Sequence, residues 1–138
     1  MRTKTLILFV FLLTGMAFSQ QGGTGFISFE KITLLLTQNN YKMRATLKEW
    51  GYVSETGKEW KKGEELFQLL PDAESKSYYY TESRPSIERR EEIINQCNIA
   101  GLKVEKQISE AYIRLTGGGF KVEVSSNRGI EVRRLKKQ

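Results

Sequence analysis

The sequence predicts an α+β domain in which helices pack on one face of a mainly antiparallel sheet. The segment from Glu110 to Leu135 alternates apolar and charged residues and is broken twice by glycine-containing turns, which indicates a three-stranded meander. Three earlier segments carry apolar residues at helical spacing. Because short isolated helices are marginal in water, their apolar stripes need a partner surface. A two-layer packing of helices on the sheet supplies it.

The first nineteen residues have the pattern of a signal peptide. Arg2 and Lys4 precede an apolar run over residues 6–13, and a small-x-small cleavage signature ends at Ser19. The run is shorter than the roughly 20 residues that a membrane span needs, so cleavage is favoured over an uncleaved anchor. We expect residues 1–19 to be removed, residues 20–25 to form a flexible spacer, and residues 26–138 to form a single domain.

The residues around the cleavage site indicate a destination. The Ala-Phe-Ser-Gln junction at residues 17–20 resembles the leader junctions of small exported proteins of the Bacteroidota. The resemblance implies a bacterial protein that is periplasmic or secreted. We predict no stable membrane span once the leader is removed.

Two helices are predicted in the first third of the domain. Ser28 is placed to cap a helix that runs to about Asn39, and Asn40 to cap a second helix that ends before Gly51. Glycine at that position permits the left-handed backbone that commonly terminates a helix.

A third helix is predicted from Ser83 or Ser86 to about Ala100, followed by Gly101. Its expected buried stripe consists of Ile87, Ile93, Ile94, Cys97 and Ala100. The charged run at residues 89–92 is expected on a solvated face. A buried, inert thiol is the favoured interpretation of Cys97, and an intermolecular disulfide is the alternative.

The middle of the chain predicts short strands. Residues 52–53, 58–61 and 77–81 have strand character, whereas residues 64–70 fit either a strand or a helical turn. The order helix, glycine, strand and hairpin occurs after Gly51 and again after Gly101. This recurrence indicates two degenerate helix-plus-hairpin units.

Composition argues against most catalytic chemistry. The chain has no histidine and one cysteine, so the usual general base is missing and we predict no metal site and no cofactor. The glycines at 117–119 join two strands, whereas a phosphate loop leads into a helix. Paired glutamates at 64–65 and 91–92 leave a small carboxylate-based hydrolase as the alternative function.

Aromatic residues are the candidate binding residues. These are Trp60, Tyr78, Tyr79 and Tyr80. In a strand, Tyr79 faces away from its two neighbours, so at least one tyrosine is expected at the surface, where tyrosine and tryptophan are common anchors. The alternative is that these side chains fill the edge of a small core. The sequence therefore predicts an exported, non-catalytic binding protein, inhibitor- or adaptor-like, whose partner is another protein of the cell envelope or exterior.

The C-terminus contains a candidate basic patch, made of Arg133, Arg134, Lys136 and Lys137. Loss of Arg2 and Lys4 lowers the formal net charge from +6 to +4, and the excess lies in residues 121–138. Binding of a polyanion or of the envelope surface is a further alternative. Because no aromatic residues are interleaved with these charges, nucleic acid is not a predicted partner.

The C-terminal segment also resembles a known export signal. Leu115, Gly118, Phe120 and Val122, followed by a basic end, resemble the C-terminal sorting segment of type IX-secreted Bacteroidota cargo. The resemblance implies an export route. The predicted helix at residues 86–100 departs from the all-β sorting domain of that family, and we predict that the meander is integral to the fold.

Overall fold

The computed structural model describes residues 23–69 and 77–135. The predicted signal peptide and two members of the basic patch, Lys136 and Lys137, lie outside these residues. The elements are α1 (Phe29–Thr37), α2 (Asn40–Glu49), β1 (Glu59–Lys62), β2 (Glu65–Leu69), β3 (Tyr78–Glu82), α3 (Ile87–Ile99), β4 (Lys103–Ile108), β5 (Tyr112–Gly117), β6 (Phe120–Ser125) and β7 (Gly129–Arg134). The strands form one seven-stranded sheet in the order β1-β2-β3-β7-β6-β5-β4. All neighbouring strands are antiparallel, which confirms the predicted α+β class.

Each helix begins at a residue whose side chain caps it. The side-chain oxygens of Ser28, Asn39 and Ser86 each accept a hydrogen bond from the backbone N–H three residues later. The second helix therefore starts one residue earlier than predicted, because Asn39 and not Asn40 is its cap. Of the two serines considered for the third helix, Ser86 is the cap.

Helices α2 and α3 end in the same way. Gly51 and Gly101 have φ angles of 90° and 92°. The residue after each glycine donates its N–H to a carbonyl five positions back, Tyr52 to Leu47 and Leu102 to Cys97. This is the bond of a Schellman cap, and in both cases the following side chain is buried. The duplication itself stays a prediction, but the two units share this local geometry and lie on either side of the β3–β7 pair.

The buried side chains form one core. We call the buried side of the sheet the inner face; its central row crosses five strands and consists of Phe67, Tyr80, Val132, Val122 and Leu115. Buried side chains of all three helices belong to the same cluster. The ring of Phe29 in α1 meets that of Phe120 in β6 edge-on at 6.3 Å. The meander is thus part of the common core, while the packing of every helix on one face stays a prediction.

Helix α3 buries a different stripe from the predicted one. Ile87 is 65% exposed and Ala100 is also exposed, whereas Arg89, expected on a solvated face, is fully buried. The inward residues are Arg89, Ile93 and Cys97, spaced four apart. The helix is rotated in this way because Arg89 has a buried partner, described below.

Three short segments of the sheet were predicted only in part. Residues 65–69, the ambiguous segment, form strand β2. Residues 52–53 contribute only an isolated bridge between Val53 and Lys61. Strand β4, the strand expected after Gly101, runs to Ile108, and all six of its residues are exposed because it lies at the edge of the sheet. Its sequence has no apolar alternation from which this length could be predicted.

The only cysteine lies in the core. Cys97 has no exposed surface, and burial raises the pKa of its thiol to about 12. The thiol therefore stays protonated at neutral pH, since the thiolate is the nucleophilic form. This geometry matches the inert-thiol interpretation and leaves the sulfur out of reach of a second chain.

Substitution of Gly129 probes the close contact between strands β3 and β7, where the two halves of the sheet meet. Its φ is 86°, and a Cβ atom there would overlap the carbonyl oxygen of Glu82 on β3. Gly118 has a φ of 59° and open space around it. We expect Gly118→Ala to cost about 1–2 kcal/mol through backbone strain alone. Gly129→Ala should cost clearly more, because strand β3 or β7 must also move. Equal losses in urea unfolding of the two variants would contradict this close packing.

Candidate binding surfaces

A buried ion pair lies at one end of strands β2 and β3. The side chains of Arg89 and Glu82 are both fully buried, and Nη2 of Arg89 lies 3.0 Å from Oε1 of Glu82. The Nε–H of Arg89 also points at both carboxylate oxygens, at 3.0 and 3.1 Å. The hydroxyl of Tyr80 donates to Oε1 at 2.6 Å. A buried ion pair is tolerated when its remaining hydrogen-bonding groups are satisfied, as they are here.

The same guanidinium fixes the segment that precedes α1. Nη1 of Arg89 donates to Glu92 at 2.7 Å, and Nη2 donates to the carbonyl of Ile27 at 2.8 Å. Glu92 accepts two further hydrogen bonds, from the backbone N–H and the hydroxyl of Thr24. The ring of Phe26 lies 5.3 Å from the guanidinium carbon. Thr24, which we assigned to the flexible spacer, is therefore bound to helix α3.

Burial and charge compete within this cluster. Burial raises the pKa of the Glu82 carboxyl, while Arg89 and the Tyr80 hydroxyl act in the opposite direction. Burial lowers the pKa of Arg89, but the negative charge of Glu82, the neighbouring Tyr80 and the hydrogen bonds to Glu82 and Glu92 together outweigh it, and the net change is upward. Arg89 is thus held firmly in its charged form.

A second carboxylate lies next to the ion pair. Glu65 is the cross-strand neighbour of Glu82 and is 6% exposed. Its Oε1 accepts hydrogen bonds from the Tyr52 hydroxyl at 2.8 Å and from the N–H of Ile27 at 3.2 Å. Both carboxylates therefore hold the fold together. A hydrolytic pair must instead flank a bound substrate.

A small cavity of about 270 Å³ opens beside Glu65. Two lysines at its wall are already engaged with aromatic rings. Lys31 lies 5.4 Å from the ring of Trp50, and Lys62 lies 5.6 Å from the ring of Tyr52. The cavity is smaller than the roughly 300–1,000 Å³ typical of ligand pockets.

The four candidate aromatic residues do not form one cluster at the surface. Tyr78 and Tyr80 are 4% and 0% exposed, so a partner cannot contact them in this fold. Trp60 is half-buried on the inner face, and its indole N–H is buried without a partner among the described residues. Tyr79 is partly exposed on the opposite face. Its ring lies 4.6 Å from the guanidinium carbon of Arg133, and its hydroxyl donates to Gln68 at 3.0 Å.

Tyr79 belongs to a partly exposed surface that we call the outer face, formed by the strand residues that alternate with the buried ones. Its side chains form two rows across the sheet. The cationic row consists of Arg133, Lys121, Thr116 and Lys103, with Tyr79 stacked at its end. The acidic row has Glu131 and Glu123 at its centre, between Thr81 and Arg114.

Like charges lie directly opposite each other on this face. Lys121 is paired with Arg133, and Glu123 is paired with Glu131. Such cross-strand pairs are destabilising by themselves. Opposite charges lie next to each other along each strand: Lys121 is 3.5 Å from Glu123, and Arg133 is ion-paired to Glu131. The centre of the outer face is therefore electrostatically patterned: Lys121 and Arg133 lie in one row and the two glutamates in the next, which ends at Arg114, 3.8 Å from Glu123.

The predicted basic patch is divided by the alternation of strand β7. Arg133 points to the outer face, whereas Arg134 lies opposite Phe120, on the side of the sheet that carries the inner residues. In the structure, Arg133 instead shares the cationic row with Lys121 and Lys103. Sequence alternation revealed a charged face but not this row, because the row depends on strand pairing.

Comparison of the chain with protein-family models, curated proteins and solved structures finds no match. Within residues 23–69 and 77–135, no group of three His, Cys, Asp or Glu side chains is placed to hold a metal ion. No helix in that part of the chain is long and apolar enough to cross a membrane.

Two neighbouring tyrosines distinguish core from surface. Tyr80→Phe removes a donor from the buried Glu82 carboxylate, and leaving such a group less satisfied costs about 1–3 kcal/mol. Tyr79→Phe removes the same atom from a partly exposed side chain, and we expect a change within about 0.5 kcal/mol. Urea unfolding of both variants measures the difference. If Tyr79→Phe destabilised as much as Tyr80→Phe, Tyr79 would belong to the core.

Proposed function

We propose that this chain is an exported, non-catalytic binding protein whose outer face docks against another protein of the cell envelope or exterior. Its role would be inhibitor- or adaptor-like. The observation that supports this proposal is the separation of charges on the outer face into a cationic and an acidic row, with Tyr79 stacked on Arg133 at one end.

The adjacent rows favour a protein partner over a polyanion. Successive outer residues on one strand are about 7 Å apart, so the two rows lie within one Debye length at physiological salt. A polyanion on Lys121 and Arg133 would be repelled by Glu123 and Glu131. A protein surface with both signs can complement both rows, and such complementarity fixes the orientation of docking.

Tyr79 is suited to anchor the contact. Tyrosine presents a large contact area and loses little rotamer entropy when it is bound. The stacking of its ring with Arg133 and the hydrogen bond to Gln68 orient it before a partner arrives. Preorganised aromatic side chains of this kind are common centres of binding energy in interfaces.

The two alternatives find less support. For a carboxylate-based hydrolase, the converging pair would be Glu65 and Glu82, but both already accept structural hydrogen bonds. For a polyanion binder at the C-terminus, Arg133 and Arg134 would have to act together, although they lie on opposite faces of the sheet.

A photo-crosslinking amino acid at position 79 tests the proposal in the cell that exports the protein. The control position is Tyr41, which is 85% exposed on helix α2, away from the outer face. We expect one adduct of defined mass from position 79 and none from position 41. Mass spectrometry would then identify the partner.

A charge exchange refines this test without changing the net charge. Lys121→Glu combined with Glu123→Lys places an acid in the cationic row and a base in the acidic row. We expect the adduct from position 79 to fall at least tenfold in yield, with a circular dichroism spectrum unchanged. An equal adduct pattern from positions 79 and 41, or an adduct yield that survives the exchange, would overturn the proposal.

A further inference from the structure

A groove of about 510 Å³ lies between helix α3 and the ends of strands β5 and β6. Its volume falls within the range of about 300–1,000 Å³ that is typical of ligand sites. The apolar part of its lining includes Ile87 and Ile94 from the helix and Ile113 and Val124 from the sheet. This groove is separate from the outer face and does not depend on the function proposed above.

The groove also contains a cation, Arg90, that forms no ion pair within residues 23–69 and 77–135. Nε of Arg90 is buried and has no hydrogen-bond partner among the described residues, and its guanidinium takes part in none of the ion pairs found there. The preceding residue, Arg89, has every side of its guanidinium engaged. A buried unsatisfied donor is costly and calls for a specific explanation. The terminal nitrogens of the same guanidinium form no ion pair within the described residues, so an acceptor bound in the groove would engage them.

The apolar lining is more exposed than side chains of this type usually are. Ile87 is 65% exposed at the groove, and Ile94 and Ile113 are only partly buried. The rotation of α3 that buries Arg89 leaves Ile87 and Ile94 beside the groove, with Ile94 at the edge of the core and Ile87 exposed. A ligand with an apolar body would cover them.

Two carboxylates, Glu91 and Glu110, also border the groove. Both residues are exposed, and neither forms an ion pair with Arg90. Charges in water are strongly screened, whereas the buried Nε of Arg90 has lost its water. The unpaired guanidinium therefore dominates the recognition of a charged group inside the groove.

We propose that the groove binds a medium-chain monocarboxylate. The carboxylate accepts hydrogen bonds from the two terminal nitrogens of Arg90, a bidentate geometry that guanidinium groups favour. The alkyl chain lies along Ile87, Ile94 and Ile113.

Titration of the folded protein with decanoate, followed by ¹H–¹⁵N NMR, tests this site. We expect saturable shifts of the Arg90 Nε–H signal and of the backbone amides of residues 87–94 and 111–113. Decanol has the same chain without the charge, and it should bind at least tenfold more weakly. Decyltrimethylammonium should not displace decanoate; tighter binding of this cation would show that Glu91 and Glu110 dominate and would overturn the proposal.

Matched variants separate the two parts of the site. Arg90→Gln should weaken decanoate at least tenfold, whereas Arg128→Gln, the same change at an exposed arginine that does not line the groove, should have no effect. Ile87→Ala should weaken binding severalfold, and Ile99→Ala, on the same helix but 79% exposed and outside the groove, should not.

The titration of the wild-type protein with decanoate tests the site even if the Arg90→Gln variant does not fold. Absence of saturable shifts up to millimolar decanoate would overturn it. So would shifts that occur only outside the groove, or equal affinity of the Ile87→Ala and Ile99→Ala variants.

Discussion

The buried ion pair between Glu82 and Arg89 is the interaction on which most of this structure depends. It joins strand β3 to helix α3, and through Ile27 and Glu92 it also holds the segment before α1. Taking two charges out of water is costly, so the pair is stable only because Tyr80 and the surrounding donors satisfy it. The carbonyl of Glu82 also packs against Gly129, where the two halves of the sheet meet. Glu82 thus contacts α3 and β7 directly, and its partner Arg89 extends the network to the segment before α1.

The rotation of α3 follows from this pair and has a functional consequence. Because Arg89, Ile93 and Cys97 point inward, Ile87 and Arg90 are left beside the groove. The buried charge therefore determines which apolar and cationic groups remain available to a ligand. On the other side of the sheet, strand pairing alone sets the rows of the outer face. The two surfaces thus arise from different causes, one from helix rotation and one from register.

Local patterns in the sequence were sufficient for much of the fold. Ser28, Gly51 and Gly101 mark helix boundaries because capping is a matter of a few neighbouring residues. The meander was predictable because period-two alternation is itself local. The burial of Arg89 was not, because its neighbours in sequence are charged and its partners, Glu82 and Ile27, are distant along the chain. Strand β4 was only partly foreseen, since an exposed edge strand needs no apolar alternation.

The binding surfaces were predictable only in part, for the same reason. Strand alternation correctly placed Tyr79 opposite Tyr78 and Tyr80, and it placed the charges of β6 and β7 on one face. It did not show that Lys121 would lie opposite Arg133, because that pairing depends on the turn between the strands. The buried Nε of Arg90, which has no partner among the described residues, had no sequence signal, because the charged run at residues 89–92 looked like a solvated surface.

A double-mutant cycle on Glu82 and Arg89 tests the central claim most directly. Glu82→Gln and Arg89→Met would each remove one member of the buried pair and leave the other without its main partner, and each should cost about 3–5 kcal/mol in the free energy of unfolding. The double variant should be more stable than the sum of the two losses predicts, by about 2 kcal/mol or more. A coupling energy below about 0.5 kcal/mol would show that the two side chains contribute independently, and would contradict the view that this pair organises the fold.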